Sequence, residues 1–224
     1  MSDKILILGG TGEASELAHK LVAEGHEVIS SLAGRTREPK PIAGITRTGG
    51  FGGREKLAEW ISQNTITRVI DATHPFASQI SKNAQWACKE AGVPLQTTTR
   101  QPWTQQQGDN WLVVESLDHA AAQIPTNARV LLALGSQHLT AFTQRADVHF
   151  LVRMVDAPQI PPNLPDHQLL LGRPSTDWQN EKQLLKQHAI THIVCRNSGG
   201  NGAYGKIIAA RELALPVIIL KMPK

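Results

Sequence analysis

The chain has 224 residues, 41% of them hydrophobic and 19% charged, a length between one large domain and two small ones and a composition that excludes a disordered or fibrous architecture. The net charge of +4 is spread along the chain and only 4% of residues are aromatic, which favours a polyanionic small molecule over nucleic acid as partner. No run approaches the ~18 apolar residues of a membrane span. Met1 to Lys4 lead straight into an apolar strand with no leader pattern. The two cysteines, Cys88 and Cys195, have neither CxxC nor metal-ligand spacing. The expectation is a cytoplasmic protein with reduced, buried thiols, no metal, no membrane and no nucleic acid; its oligomeric state is open.

The first hundred residues alternate strand and helix signals. Lys4 to Leu8 reads as a buried strand. Ala14, Leu17, Ala18, Leu21 and Val22 then share one helical face, closed by Gly25. Strands follow at Glu27 to Ser31 and Ile42 to Thr48, a helix at Arg54 to Gln63, a strand at Arg68 to Asp71, a helix at Phe76 to Glu90 and a strand at Pro94 to Thr98. Such alternation implies a parallel sheet covered on both faces. From Thr99 to Asn127 the pattern loosens around a short strand at Trp111 to Val114 and a helix from Leu117. It resumes with strands at Val130 to Leu134, Val148 to Met154, Gln168 to Leu171, His192 to Arg196 and Pro216 to Leu220. Helices are expected at Gln137 to Gln144, Asp177 to His188 and Tyr204 to Leu213, with a surface loop at Ala157 to Pro165.

Ile66 to Asp71 aligns with Ile190 to Cys195, each followed by a polar turn, a helix and a Val-Pro or Leu-Pro strand start. Either the chain repeats a half-molecule or this is the common look of βαβ units. The expected fold is α/β, with two Rossmann-like parallel-sheet domains facing an interdomain cleft. These are a dinucleotide-binding domain over 1–98, a crossover over 99–128, and an α/β domain over 129–224 that contributes to the substrate cleft.

Gly9-Gly10-Thr11-Gly12-Glu13-Ala14 joins the first strand to the first helix, a variant of the glycine fingerprint that lets backbone N–H groups approach a pyrophosphate. Where NAD-selective proteins carry an acid, roughly 20 residues past the glycines, this chain has Ser31 and then Arg35. Hydroxyl and arginine suit a 2′-phosphate, so NADPH is favoured and NADH possible; Arg35 and Arg37 as two solvated loop arginines are the plainer alternative. Asp71-Ala72-Thr73-His74-Pro75 ends the fourth strand. Pro75 at the first helical position would make His74 the N-cap, placing Thr73 and His74 by the cofactor, with His74 a candidate proton donor. A lone histidine is more often structural. Gly50 and Phe51, within a run of four glycines, would let backbone approach a flat ligand or form a flexible loop. Asn197, Ser198, Gly199 and Gly200, with Lys206 one turn into the next helix, read as an anion site for substrate, and Lys206 as a second catalytic candidate. Gly135-Ser136-Gln137 is a lesser version of the same device.

These segments, together with Arg100 to Trp103, also resemble the precorrin-6A reductase family, including its cobalt-precorrin-6A counterpart; Asp-Ala-Thr-His-Pro-Phe-Ala is its most specific motif. The resemblance runs from residue 4 to about 220, with two departures: Arg196 stands where the resemblance leads one to expect lysine, and Gln101 is inserted before the Pro-Trp pair. It implies an NAD(P)H-dependent reductase of cobalamin biosynthesis that reduces the C18–C19 double bond of a polycarboxylate tetrapyrrole, with hydride to C19 and a proton to C18. A short-chain dehydrogenase is excluded, because Tyr204, the one tyrosine, has no lysine four residues on. A redox sensor that binds NADPH without turnover shares the fingerprint, but the polar glycine-rich turn at 197–202 argues for a second ligand.

Overall fold

The computed structural model describes residues 2–34, 41–98 and 100–223. The chain divides into two compact units, Met1–Arg100 and Gln101–Lys224. In the first, β1 (Lys4–Leu8), α1 (Gly12–Ala23), β2 (Glu27–Leu32), β3 (Ile45–Thr48), α2 (Arg54–Gln63), β4 (Arg68–Asp71), α3 (Ser78–Ala91) and β5 (Leu95–Thr97) build a sheet of order β3-β2-β1-β4-β5. Every pair is parallel. The apolar run of β1 follows from its central place: Leu6 and Leu8 pack with Leu57, Ile61 and Ala84 under α2 and α3, while Ile5 and Ile7 pack with Ala14, Ala18 and Leu21 of α1. Because α1 leaves β1 on one face and α3 leaves β4 on the other, the carboxyl ends of these two neighbours flank the position where parallel α/β sheets bind ligands.

The second unit contains β6 (Trp111–Val114), α4 (Leu117–Ala122), β7 (Arg129–Ala133), β8 (His149–Met154), β9 (His167–Leu171), α5 (Trp178–Gln187), β10 (His192–Arg196), α6 (Gly205–Glu212) and β11 (Val217–Leu220). Its sheet order is β6-β11-β10-β7-β8-β9, again all parallel. With β6 set aside, the order from β9 to β11 repeats that from β3 to β5. The overlay of 66–71 on 190–195 extends to hydrogen bonds. Lys4 N donates to Thr67 Oγ1 at 3.0 Å and Thr67 N to Lys4 O at 2.9 Å; Arg129 N donates to Thr191 Oγ1 at 3.0 Å and Thr191 N to Arg129 O at 2.8 Å. The segment read as a crossover contributes β6, paired to β11 on the edge of this sheet, and α4, whose Ala120 and Ala121 enter the core with Phe142 and Phe150.

Two helices differ from the sequence reading. The expected helix over Gln137 to Gln144 is two 3-10 turns, Ser136–His138 and Thr140–Phe142. Thr143 Oγ1 bonds Thr140 O at 3.0 Å, a side-chain alternative to the helical ladder, and the fully buried Phe142 anchors the turn. The helix expected from Phe76 starts at Ser78, for reasons given below.

Close packing sets the position of α6. Its first residue, Gly205, is buried, and a Cβ there would lie 2.7 Å from Ser175 O and 3.4 Å from Thr176 O. Gly205→Ala is therefore expected to lower stability by about 1–3 kcal/mol, the usual range for overpacking, in urea unfolding of the whole chain. An unchanged midpoint would show that the 175–176 backbone yields freely.

Candidate functional site

The turn between β1 and α1 is built for a ligand's backbone contacts. Gly10 has φ +106°, a conformation that side-chain-bearing residues rarely adopt, and among the described residues, chain neighbours aside, no atom lies within 4 Å of a Cβ placed on Gly10 or Gly12. Thr11 caps α1: its Oγ1 accepts from Ala14 N at 3.1 Å and donates to Ala72 O at 3.0 Å, tying this turn to the one after β4. Gly9 N donates to Ser31 O at 3.0 Å, and a Cβ on Gly9 would touch that of Ala14 at 3.4 Å. With Ala14 N taken by the Thr11 cap, the space over Gly10 and Gly12 at the positive end of α1 is an arrangement that fits the pyrophosphate of a dinucleotide. Glu13 forms an ion pair with Arg100, a partner the glycine pattern did not reveal.

Ser31, 7% exposed at the end of β2, is paired in register with Arg47 of β3. Arg47 Nη1 donates to Ser31 Oγ at 2.7 Å and to Gly49 O at 2.9 Å, and Nη2 to Gly50 O at 3.3 Å. Its guanidinium carbon lies 3.8 Å from the centroid of the Phe51 ring, which meets Trp60 edge-on at 5.5 Å. The structure therefore joins Gly50 and Phe51 to Ser31 through a residue the sequence reading passed over. Its signal was position: Arg47 is the one cation in β3, two residues before the glycine run. Arg35 lies outside the described residues.

After β4, Asp71 is buried and accepts from Thr73 N at 3.1 Å and Thr73 Oγ1 at 2.7 Å, which fixes the Thr73 side chain. His74 is not the helix N-cap expected from Pro75. Pro75 and Phe76 form a turn closed by Ala77 N to His74 O at 2.7 Å, and Ala77, at φ −96° and ψ 44°, holds the N-cap position without a side-chain bond. The imidazole bonds its own turn instead: Nδ1 accepts from Phe76 N at 3.2 Å, so the neutral ring carries its proton on Nε2.

In the second unit the candidate residues divide by role. The Asn197 amide is spent on the backbone of Trp103: Oδ1 accepts from Trp103 N at 2.8 Å and Nδ2 donates to Trp103 O at 2.9 Å. Trp103 Nε1 donates to Gly200 O at 2.7 Å, so Asn197 and Gly200 clamp the 102–103 segment. Ser198 and Gly199 are buried, with Gly199 and Gly200 at φ 62° and 66°. An open cavity of about 290 Å³ lies beside this clamp, lined by Gln101, Trp103, Gln106, Asn201 and Tyr204 among others. Lys206 is only 3% exposed; its Nζ donates to Ala203 O at 2.6 Å and lies 4.9 Å from the Trp103 ring centroid. Burial pushes its pKa down; Arg153 and Arg196 add to that, while Cys195 and Glu181 oppose it. Glu181, itself buried, accepts from Arg153 Nη1 at 2.7 Å and Ser175 N at 2.8 Å. This pair between β8 and α5 was not foreseen. Its residues lie far apart in sequence and in no motif.

The two parallel sheets of repeated order, one with an open glycine turn at its switch point, define a two-unit Rossmann-like α/β protein. The model of the family "Precorrin-6x reductase CbiJ/CobK" matches residues 4–224. Precorrin-6A reductase of Rhodobacter capsulatus is 46% identical over 98% of this chain and 88% of its own length, and that of Rhodococcus erythropolis 40% identical over 98% and 89%. A solved structure of CobK precorrin-6A reductase matches with a TM-score of 0.95 at 46% identity, covering 100% of this chain and 89% of that one. The chain belongs to the precorrin-6x reductase family, and it is an oxidoreductase of cobalamin biosynthesis.

Lys206 makes stability depend on pH in a defined direction. Its folded pKa lies below the ordinary 10.5, so between those two values the unfolded chain holds a proton that the folded chain has shed. Stability from this group accordingly rises with pH through that interval. Lys206→Met removes the effect: in urea unfolding, the variant's stability relative to the native chain is expected to be greatest at low pH and to decline toward pH 10.5. Parallel stability curves would show that Lys206 stays charged on folding.

Proposed function

We propose that this chain is an NADPH-dependent reductase of metal-free precorrin-6A, reducing the C18–C19 double bond of the macrocycle. The choice of the metal-free substrate is supported by kinship: precorrin-6A reductases are 36–46% identical to this chain, against 25–27% for cobalt-precorrin-6A reductases. The observation that carries the cofactor reading is the Gly9–Ala14 turn, with Gly10 at positive φ, the space among the described residues above Gly12 and the Thr11 cap.

A bound nicotinamide supplies the hydride, and the protein's work is to bind, orient and set the local charge. Backbone N–H groups at the start of α1 would hold the pyrophosphate. Thr11, with both hydrogen-bonding roles of its hydroxyl in use, is a positioning residue for that turn. Thr73, locked by Asp71, and His74, with its proton on Nε2, form the adjacent rim of the same unit. In the second unit, Ser198, Gly199 and Gly200 form the turn assigned to the macrocycle. Lys206, through Ala203 O, and Asn197, through Trp103, hold that turn in shape and act as positioning residues.

Gly12→Val tests the cofactor site, since Gly12 has an ordinary φ and, among the described residues, no atom crowds a Cβ built on it. The added side chain should weaken NADPH binding by at least about tenfold, the ~1.4 kcal/mol of a lost charge-assisted hydrogen bond, with thermal unfolding unchanged. Anaerobic mixing of the native chain with NADPH and precorrin-6A should change the macrocycle spectrum only when both are present. Unaltered NADPH affinity in Gly12→Val would move the cofactor elsewhere.

A further inference from the structure

We propose that Arg47 is the residue that reads the 2′-phosphate of the dinucleotide and thereby sets the preference for NADPH over NADH. The inference rests on the dinucleotide reading of the β1–α1 turn and deepens it. In parallel sheets of this order, the group at the end of the second strand meets the adenosine ribose at its 2′ position. An acid there accepts from the two ribose hydroxyls. Here that place belongs to Ser31, whose carbonyl receives Gly9 N at 3.0 Å and whose hydroxyl is bonded to Arg47 Nη1 at 2.7 Å. Where a carboxylate would select a diol, the chain thus presents a hydroxyl tethered to a cation.

The cation is also oriented. The Ser31 hydroxyl and the carbonyls of Gly49 and Gly50 take three of its five N–H groups, and Phe51 covers the guanidinium at 3.8 Å, with Trp60 at 5.6 Å. All of these partners are neutral. No ion pair with a carboxylate of the described residues balances Arg47, whereas Arg68, Arg100, Arg145, Arg153 and Arg211 each have one. Burial is what lowers its pKa, yet guanidinium stays protonated, so among the described residues the positive charge has no counterion. A phosphate dianion is the ligand chemistry that such a fixed, π-backed guanidinium at a strand end, paired with no described carboxylate, recognises best.

The experiment compares NADPH and NADH dissociation constants, by calorimetry, for the native chain, Arg47→Gln and Arg47→Lys. Arg47→Gln should lose about 10- to 100-fold in NADPH affinity, the range of a charge-assisted contact, with NADH affinity changed by about twofold or less. Arg47→Lys should keep part of the preference, as a point charge without the fork. A native chain that prefers NADPH beside an Arg47→Gln variant with the same preference overturns the inference and leaves the dinucleotide site standing. A native chain that binds neither cofactor overturns the underlying reading as well. Because Arg47 also ties down the 49–51 turn, a measurement without mutation accompanies these. Phenylglyoxal modification of Arg47 in the native chain, mapped by mass spectrometry, should slow in adenosine 2′,5′-bisphosphate and not in 5′-AMP. Equal protection by both ligands, or by neither, rejects the assignment.

Discussion

The candidate cofactor site depends on one hydroxyl. Thr11 Oγ1 accepts from Ala14 N and donates to Ala72 O, so a single atom caps α1 and fastens its turn to the end of β4. The sheet supplies the place, since neighbouring strands β1 and β4 send their chains to opposite faces and leave their ends without a crossing connection. Thr11 fixes the spacing of the two turns at that place. Beside it, Asp71 holds Thr73 within the β4 turn, and Ser31, reached by Gly9 N, presents its hydroxyl to Arg47 through the register of β2 and β3.

The second unit shows what the same topology becomes without that device. After β7 stands Gly135, at φ 81°, but the following segment is a 3-10 turn, too short to gather the N–H groups of an α-helix start. Arg196, at the end of β10, bonds His138 of that turn at 3.3 Å. Asn197 holds the incoming 102–103 backbone, so the polar atoms that would meet a phosphate are committed to the protein's own chain. The shared strand order with unlike turns explains one helix start suited to a dinucleotide in the first unit and an aromatic, amide-lined cavity in the second.

The fold was readable because its signals are local and periodic. Buried parallel strands show as apolar runs, and most were located within one or two residues. The failures have separate causes. The 137–144 helix failed because Thr140 and Thr143 bond locally and Phe142 fills the core in a 3-10 turn. His74 is not at the cap because the turn through Pro75 closes on His74 O and the helix begins three residues after the proline, at Ser78. Asn197 and Lys206 are not failures of this kind: they have the chemistry of an anion site, and the structure adds their partners, Trp103 and Ala203, which a reading of residue types does not show. Arg47 was missed for the converse reason: an ordinary arginine in a short strand gains its meaning only from strand register.

Arg47 and Lys206 also show why residue type matters when a cation is buried. Loss of water lowers the pKa of each. Guanidinium starts so high that it stays charged, and its delocalised plane is met by carbonyl oxygens on its edge and Phe51 on its face. The lysine ammonium is a compact charge that desolvation penalises more, and at Lys206 two arginines add to that penalty. The first unit therefore carries a positive charge that pH leaves alone, suited to recognising a permanent anion. The second holds an amine whose protonation responds to its surroundings, next to the turn assigned to the substrate. A polycarboxylate close to that turn would raise the Lys206 pKa again, linking proton uptake by the protein to occupation of the substrate site.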